Sequence, residues 1–391
     1  MHGAAFRSCH FKRSKAISKF STLFFDQMKL KPVPHVAHEN MTKGRGAQIN
    51  PHNKFFKNRY EDTDDPVMSW QLDELEDNPR TQFIEVFPKS ILSKNNSPDI
   101  GFNYSINPYN GCEHGCVYCY ARNSHEYWGY SAGKDFEEKI LYKPKGHEML
   151  REVFRSGKWK PEIIVVSGNT DCYQPAERKF QLTRKLLEVF LEHKHPLGMI
   201  TKNALILRDL DLLKELNALN LVHITISITT LNEDIRRTME PRTSSVANRL
   251  KTVETLANAG IPVNVNMAPV ILGVNSDEIF NLVKEVGDRG ARSVNYILAR
   301  LNGQIAGIFE DWVRKSLPER ADKILHHVMD SHGGTLNESR WGTRMRGEGK
   351  YADNISDIFK VAKRKFIKPQ PPHELDFSIF VTNREEQMSL F

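Results

Sequence analysis

The chain is 391 residues long, 39% hydrophobic and 26% charged, which supplies a core for one large domain and excludes a fibrous or compositionally disordered protein. No apolar run approaches the ~20 residues of a membrane span, so no membrane association is expected. Five cysteines, three of them within eight residues, exclude a disulfide framework and indicate a reducing compartment, the cytoplasm, with metal chemistry in that stretch.

Residues 1–60 carry twelve Lys and Arg against Asp26 and Glu39, a net +10, so the other 331 residues of this +7 chain sum to −3. That composition reads as a solvated, disordered basic arm. Its functional reading is a phosphate-binding arm. A third reading is a targeting peptide, since residues 1–25 are rich in Ser and Lys but lack an apolar segment. Met28 or Met41 as the true start would remove much of the arm. An irregular lead-in follows over 61–98.

From 99 to 300, strand-like and helix-like segments alternate. IGFNYSI (100–106) and EIIVVSG (162–168) read as strands. Over 178–193, Phe180, Leu182, Leu186, Leu187, Phe190 and Leu191 have helical spacing. LGMIT (197–201) is a strand, 205–219 a helix, LVHITISI (221–228) a strand, and 246–259 a helix ending at Gly260. PVNVNMAPVI (262–271) alternates as a strand does. Ser276 and Asp277 suit the cap of a helix over 276–290, and RSVNYIL (292–298) closes the series. Six strands with helices between them predict right-handed crossovers, a parallel sheet and a partial (β/α)6 TIM-type barrel, an α/β fold short of the eight units of a closed barrel. Active residues are then expected at the C-terminal ends of the strands. A helical extension over 301–370 and a flexible tail over 371–391 complete the expected organisation.

The first strand runs into NPYNGCEHGCVYCY (107–120), where Cys112, Cys116 and Cys119 are spaced C-x3-C-x2-C with Tyr118 before the last. Structural zinc sites and ordinary iron–sulfur carriers take four protein ligands. Three thiolates can hold three corners of a [4Fe–4S] cube and leave the fourth iron for an exogenous ligand. Two other readings of the loop are zinc, held by the cysteines with His114 or His125, and a four-cysteine electron carrier that recruits Cys172.

This spacing, with an aromatic before the third cysteine, resembles the radical S-adenosylmethionine (SAM) superfamily. The resemblance implies that SAM chelates the open iron and that one electron from the reduced cluster cleaves it to a 5′-deoxyadenosyl radical. The implied cofactors are a [4Fe–4S] cluster and SAM, and the implied partner is a reductant such as flavodoxin or ferredoxin. Several stretches resemble the spore photoproduct lyase branch. Tyr118 and Tyr120 flank Cys119; SGNTD (167–171) ends the second strand, ITK (200–202) the third and SIT (227–229) the fourth. The resemblance places Lys202 on the SAM carboxylate, where a compact ammonium suits an anion. Thr170 and Asp171 offer acceptors for the SAM ammonium, and Ser227 is a further contact. EPRTSSVANRL (240–250) and GIPVNVNMAPVILGVNS (260–276) also match, with Arg249 as another SAM-holding residue. GRGAQINPHNKFF (44–56) and GTRMRGEGKYADNI (342–355) resemble a largely uncharacterised bacterial subgroup, so the likeness covers roughly 44–365.

One departure concerns the hydrogen-atom donor. The lyase has a cysteine at the end of its second strand, where this chain has Gly168. Cys172, four residues on, is either a relocated donor or a small buried residue. Tyr118, Tyr120 and Tyr173 are candidate radical relays. The lyase-like core, the basic arm and the clamp-like C-terminal peptide together favour a nucleic-acid substrate and a DNA-repair-like role. The alternatives are radical modification of a protein or small metabolite, and a non-catalytic Fe–S or zinc interaction module. At the C-terminus, Gln387, Met388, Ser389, Leu390 and Phe391 resemble the short peptides that bind the replication sliding clamp, after a Pro-rich tether. His326, His327 and His332 read as ordinary surface or core residues, since adjacent residues face different sides of a helix.

Overall fold

The computed structural model describes residues 42–56, 81–337 and 339–382, all within the compact unit Ala37–Phe391. β1 (Gln82–Glu85), β2 (Leu92–Lys94), β3 (Tyr104–Ile106) and β4 (Tyr109–Asn110) precede the cysteine loop. A 3-10 helix (Tyr120–Trp128), α1 (Asp135–Glu138), β5 (Lys139–Tyr142) and α2 (Gly146–Arg155) follow it. Next come β6 (Ile164–Val166), α3 (Glu177–Phe180), α4 (Leu182–Glu192), β7 (Leu197–Thr201) and α5 (Leu210–Ala218). β8 (Val222–Ser227), α6 (Glu233–Met239), α7 (Val246–Asn258), β9 (Val263–Val270), α8 (Ile279–Asp288) and β10 (Ser293–Leu298) complete the core. α9 (Ile305–Ser316), α10 (Ala321–Asp330) and α11 (Gly349–Phe366) extend it.

The six expected strands form one parallel sheet, β10-β9-β8-β7-β6-β3, with β2 antiparallel on the β3 edge. The fold is a partial barrel of the expected kind, with β10 and β2 as its two edges. The period-2 pattern explains why. In β8 and β9, Ile224, Ile226, Val263, Val265 and Met267 are fully buried against Leu213, Leu216, Val253, Leu256, Val283 and Val286 of the helices. Each such side chain contributes about 1.5–3 kcal/mol relative to exposure. Asn264 and Asn266 alternate with them on the other face. Helix starts follow the polar caps: Asn232 accepts from the amides of Asp234 and Ile235, and Ser245 from that of Asn248. Gly260, at φ +74°, ends α7 as expected.

Four features differ from the sequence reading. The helix expected over 178–193 breaks at Gln181, φ +52°. The Glu177 carboxylate accepts from the Thr183 amide at 3.0 Å and the Arg184 amide at 3.4 Å, so it caps α4 from outside and the helix restarts. A small second sheet, β1-β5-β4, was not anticipated; its strands are two to four residues long, too short for periodicity. Residues 42–56, read by composition as part of a basic arm, are tied to the core instead. The amides of Gly46 and Ala47 donate to the buried Glu137 carboxylate at 3.0 and 2.8 Å, and Arg45 donates to the Glu137 carbonyl at 2.7 Å.

Residues 371–382, expected in a flexible tail, are likewise held: the amides of Asp376 and Val381 donate to the carbonyls of Asn220 and His193 at 2.9 and 3.0 Å. The remaining arm, the rest of the lead-in before residue 81 and residues 383–391 lie outside the described residues. Among the described residues, no helix is long and apolar enough to cross a membrane.

Candidate active site

The cysteine loop is pinned before it turns. β4 pairs with β5, and the Cys112 amide donates to the Phe136 carbonyl at 2.8 Å. Gly111 and Gly115 have φ of +78° and +67°, open to glycine. A Cβ on Gly115 would lie 2.8 Å from the Glu137 carboxylate, and one on Gly46 only 1.7 Å from the Gly115 carbonyl. The strap over 44–56 therefore packs backbone to backbone under the loop at Gly46, where no side chain fits. Beneath it, Arg122 and Glu137 form a fully buried ion pair at 2.5 Å. Arg122 also donates to the carbonyls of Cys116, Ala132 and Gly133 at 2.9, 3.1 and 2.9 Å. The loop amides of Gly115 and Cys119 turn back onto the carbonyls of Cys112 and Cys116, bringing the three thiols to one region. Cys112 and Cys116 are buried and Cys119 is half-buried.

Electrostatics report the same convergence. Burial pushes the Cys112 thiol well up, and Asp171, Cys116 and Cys119 add to the rise. Burial and then Glu240 raise Cys116, with Lys202 opposing and Cys119 adding. Buried thiols such as Cys112 and Cys116, raised by burial and by their cysteine neighbours, become thiolates only around a strongly positive group, as iron or zinc provides. Among the described residues, no three of His, Cys, Asp and Glu are gathered around a point for a single metal ion. A cube whose corners each take one thiolate does not need such a point, so the donor set fits a cluster.

Four of the expected SAM contacts separate into two pairs, and the fifth, Arg249, is buried on Glu240. The Thr170 hydroxyl is used by the Tyr109 carbonyl at 2.5 Å. Asp171 accepts from the Thr201 hydroxyl, the Lys202 amide and the Tyr173 amide at 2.8, 2.7 and 2.9 Å, and its carboxylate lies 3.4 Å from His114. Burial alone would raise the Asp171 pKa, but His114 and these donors hold it down at about 2. Both residues thus shape the strand ends. By contrast, the Lys202 ammonium and the Ser227 hydroxyl make no hydrogen bond to the described residues. Lys202 lies 5.8 Å from the Tyr118 ring centroid. Burial lowers its pKa, yet Cys116 and Glu240 outweigh that and raise it.

Glu240 is the residue that sequence reasoning missed. It is fully buried and accepts from Tyr118, from Thr229 at 2.6 Å and from Arg249 at 2.5 Å. Arg249 donates in turn to the Ser227 and Ser244 carbonyls at 3.1 and 2.9 Å. Burial raises the Glu240 pKa, but Arg249 and Lys202 hold it at about 2. The quoted stretch EPRTSSVANRL contained the signal: an acid and an Arg nine residues apart around a helix start.

The other candidates lie apart from this set. Tyr120, half exposed, donates to the Gly168 carbonyl. Tyr173 is buried on Asp209 at 3.0 Å. Cys172 is fully buried in the main core, its thiol pushed well up first by burial. A Cβ on Gly168 would sit 2.6 Å from Ser105 Cβ, so a cysteine does not fit there without a shift. Nε2 of His125 lies 3.2 Å from the Asp135 carbonyl, and burial pushes its pKa down to about 4. His326 pairs with Asp330 at 3.3 Å, His327 packs on Tyr351 and His332 reaches the Ala299 carbonyl at 2.8 Å. The expected clamp peptide, Gln387 to Phe391, lies outside the described residues.

The family model described as Radical SAM superfamily matches residues 106–286, and an uncharacterised protein of Mycobacterium tuberculosis is 31% identical over 240 residues, 61% of this chain and 71% of that protein. The chain belongs to the radical SAM superfamily. An uncharacterised protein of Methanocaldococcus jannaschii is 25% identical over 247 residues, 63% of this chain and 88% of its own. In fold, the chain is similar to a spore photoproduct lyase mutant with bound AdoMet and dinucleoside spore photoproduct, at a TM-score of 0.54 and 16% identity over 73% of this chain and 79% of that one. Another mutant of the lyase reaches a TM-score of 0.54 over 90% of this chain and 94% of its own, again at 16% identity. The cofactors of the superfamily are a [4Fe–4S] cluster and SAM. That membership displaces the zinc and four-cysteine readings of the loop.

Proposed function

We propose that this chain is a radical SAM enzyme acting on a nucleic-acid substrate, with Cys112, Cys116 and Cys119 as the cluster ligands. The observation that carries the reading is the Lys202 ammonium: it is held beside Cys116 and makes no hydrogen bond to the described residues. When bound, the cluster and SAM supply a 5′-deoxyadenosyl radical. The chain's own residues bind and orient. Lys202 receives the SAM carboxylate as a charge-assisted partner, and the Ser227 hydroxyl offers a second contact. Asp171 fixes the Lys202 backbone, and Thr170 anchors the start of β4 before the cysteine loop. Glu240 and Arg249 hold Tyr118 and the end of β8, so Tyr118 supports the wall of the site. Cys172, buried in the core, acts as a packing residue, and Tyr120 at the mouth is the better placed relay. A flavodoxin- or ferredoxin-type reductant supplies the electron.

The likeness to spore photoproduct lyase supports the choice of substrate class. The test is anaerobic reconstitution, reduction, and product analysis with SAM in the presence and absence of lesion-bearing DNA. The expected result is 5′-deoxyadenosine together with altered DNA. 5′-Deoxyadenosine at the same yield with and without DNA, and unchanged DNA, would leave a radical enzyme for a protein or small metabolite.

A further inference from the structure

The connection between α6 and α7 is fastened directly to the cysteine loop. The Val117 amide donates to the Met239 carbonyl at 3.1 Å, and the Arg242 amide donates to the His114 carbonyl at 3.3 Å. Glu240 sits between these two contacts in the chain. Its carboxylate reaches Tyr118, which stands between Cys116 and Cys119. One oxygen takes the Tyr118 hydroxyl and, at 2.6 Å, the Thr229 hydroxyl; the other takes Arg249 at 2.5 Å. The Tyr118 and Thr229 hydroxyls are themselves 3.2 Å apart, which closes a three-membered ring of polar groups. Behind it, Arg249 is fixed by the Ser227 and Ser244 carbonyls at 3.1 and 2.9 Å and by the Thr243 hydroxyl. Tyr118, Thr229, Glu240 and Arg249 are all buried, Thr229 and Glu240 completely. A neutral acceptor would hold Tyr118 equally well, so the charge itself calls for a role. Like charges in a buried site disfavour one another. After burial, Glu240 is the first group to raise Cys116, ahead of the opposing Lys202 and Arg249.

We propose that Glu240 is a positioning residue for the cluster: held against Tyr118, between two ligand cysteines, its carboxylate sets a permanent negative charge beside the loop that lowers the cluster's reduction potential. This rests on the reading of the cysteine loop as the cluster site. Reduction adds an electron, so a fixed negative charge nearby disfavours the reduced form, and local charge is one of the protein's levers on such potentials. Glu240 is fully buried, so salt and water screen its field little. Arg249 and Lys202 keep the carboxylate ionised, and each offsets part of its field without cancelling it at Cys116. An electron taken from the flavodoxin- or ferredoxin-type reductant is thereby made more strongly donating toward SAM.

The test is an anaerobic redox titration of the reconstituted full-length chain without SAM, read by electron paramagnetic resonance of the reduced cluster. Thermal unfolding of the apo-protein is measured alongside. Glu240→Gln, similar in shape but uncharged, is expected to raise the reduced-to-oxidised ratio at a fixed potential about ten-fold, or ~59 mV for a one-electron couple. Glu240→Asp keeps the charge and should stay within about three-fold of the wild type. If Glu240→Gln does not fold because Arg249 is left unpaired, Glu240→Gln/Arg249→Gln removes the acid and the base together. That paired variant should still raise the ratio, since Glu240 acts on Cys116 more strongly than Arg249 does. A Glu240 that served the fold alone would lower the unfolding temperature and leave the potential unmoved. Equal potentials in cluster-bearing wild type and variants therefore overturn the proposal and leave the cluster reading standing. A rise in Glu240→Asp as large as in Glu240→Gln overturns it as well, because loss of the Tyr118 contact and not of the charge would then be the cause. A wild type that assembles no cluster overturns the reading of the loop, and this proposal with it.

Discussion

Lys202 shows how residue identity and residue direction differ in what they reveal. Its place after the third parallel strand could be read from ITK, because strand ends gather active residues. The same reasoning selected Thr170 and Asp171, yet their side chains face inward to Tyr109, Thr201 and the Lys202 amide. A hydroxyl or carboxylate at a strand end serves ligand or backbone equally well, and sequence alone does not say which. Glu240 escaped notice because its partner Tyr118 is 122 residues away. Lys202→Ala is expected to keep its iron and lose roughly ten- to a hundred-fold in SAM affinity, as for a charge-assisted hydrogen bond of about 1.5–3 kcal/mol. Equilibrium binding of SAM to iron-replete protein checks this, and unchanged affinity would rule out the contact.

At the scale of elements, the β-branched runs and 3.6-residue periods located all six core strands and the helices α4, α5, α7 and α8, but not α2 or α6. The break at Gln181 was hidden because its cause, Glu177, acts through tertiary hydrogen bonds rather than a turn residue. The strap over 44–56 was hidden because its contacts are backbone amides on Glu137. His195, just before β7, is another long-range junction. Trp159 donates its indole N–H to Nε2 at 2.9 Å, and Nδ1 faces the Pro196 carbonyl at 2.8 Å. The ring stacks on Phe154, with centroids 4.4 Å apart. Burial pushes its pKa down to about 3, with His193 acting in the same direction and the Pro196 contact opposing. The folded state therefore binds its proton less well than the unfolded chain, near 6.5. The stabilisation is full above pH 6.5 and is lost as pH falls from there toward 3. Between pH 7 and pH 5 this group should cost about 2 kcal/mol. Thermal unfolding at the two pH values should show a smaller acid-induced drop for His195→Gln than for the wild type; equal drops would contradict the buried neutral ring.

Across the whole molecule, a partial barrel was predictable because alternating strands and helices leave few topologies open. How its open side is closed was not predictable, since Arg344 and Asp99 are 245 residues apart and neither belongs to a periodic element. Strap and barrel together hold the three-cysteine loop beside the strand ends, with the Lys202 ammonium in the field of Cys116. The most direct test compares reconstituted wild type with Cys116→Ala under reducing, anaerobic conditions with SAM. Two remaining thiolates should not hold the cluster, while the strands keep the fold. Wild type should form 5′-deoxyadenosine and show a visible band that dithionite bleaches, and Cys116→Ala should be folded, colourless and inactive. 5′-Deoxyadenosine formation by Cys116→Ala at the wild-type rate would contradict the account.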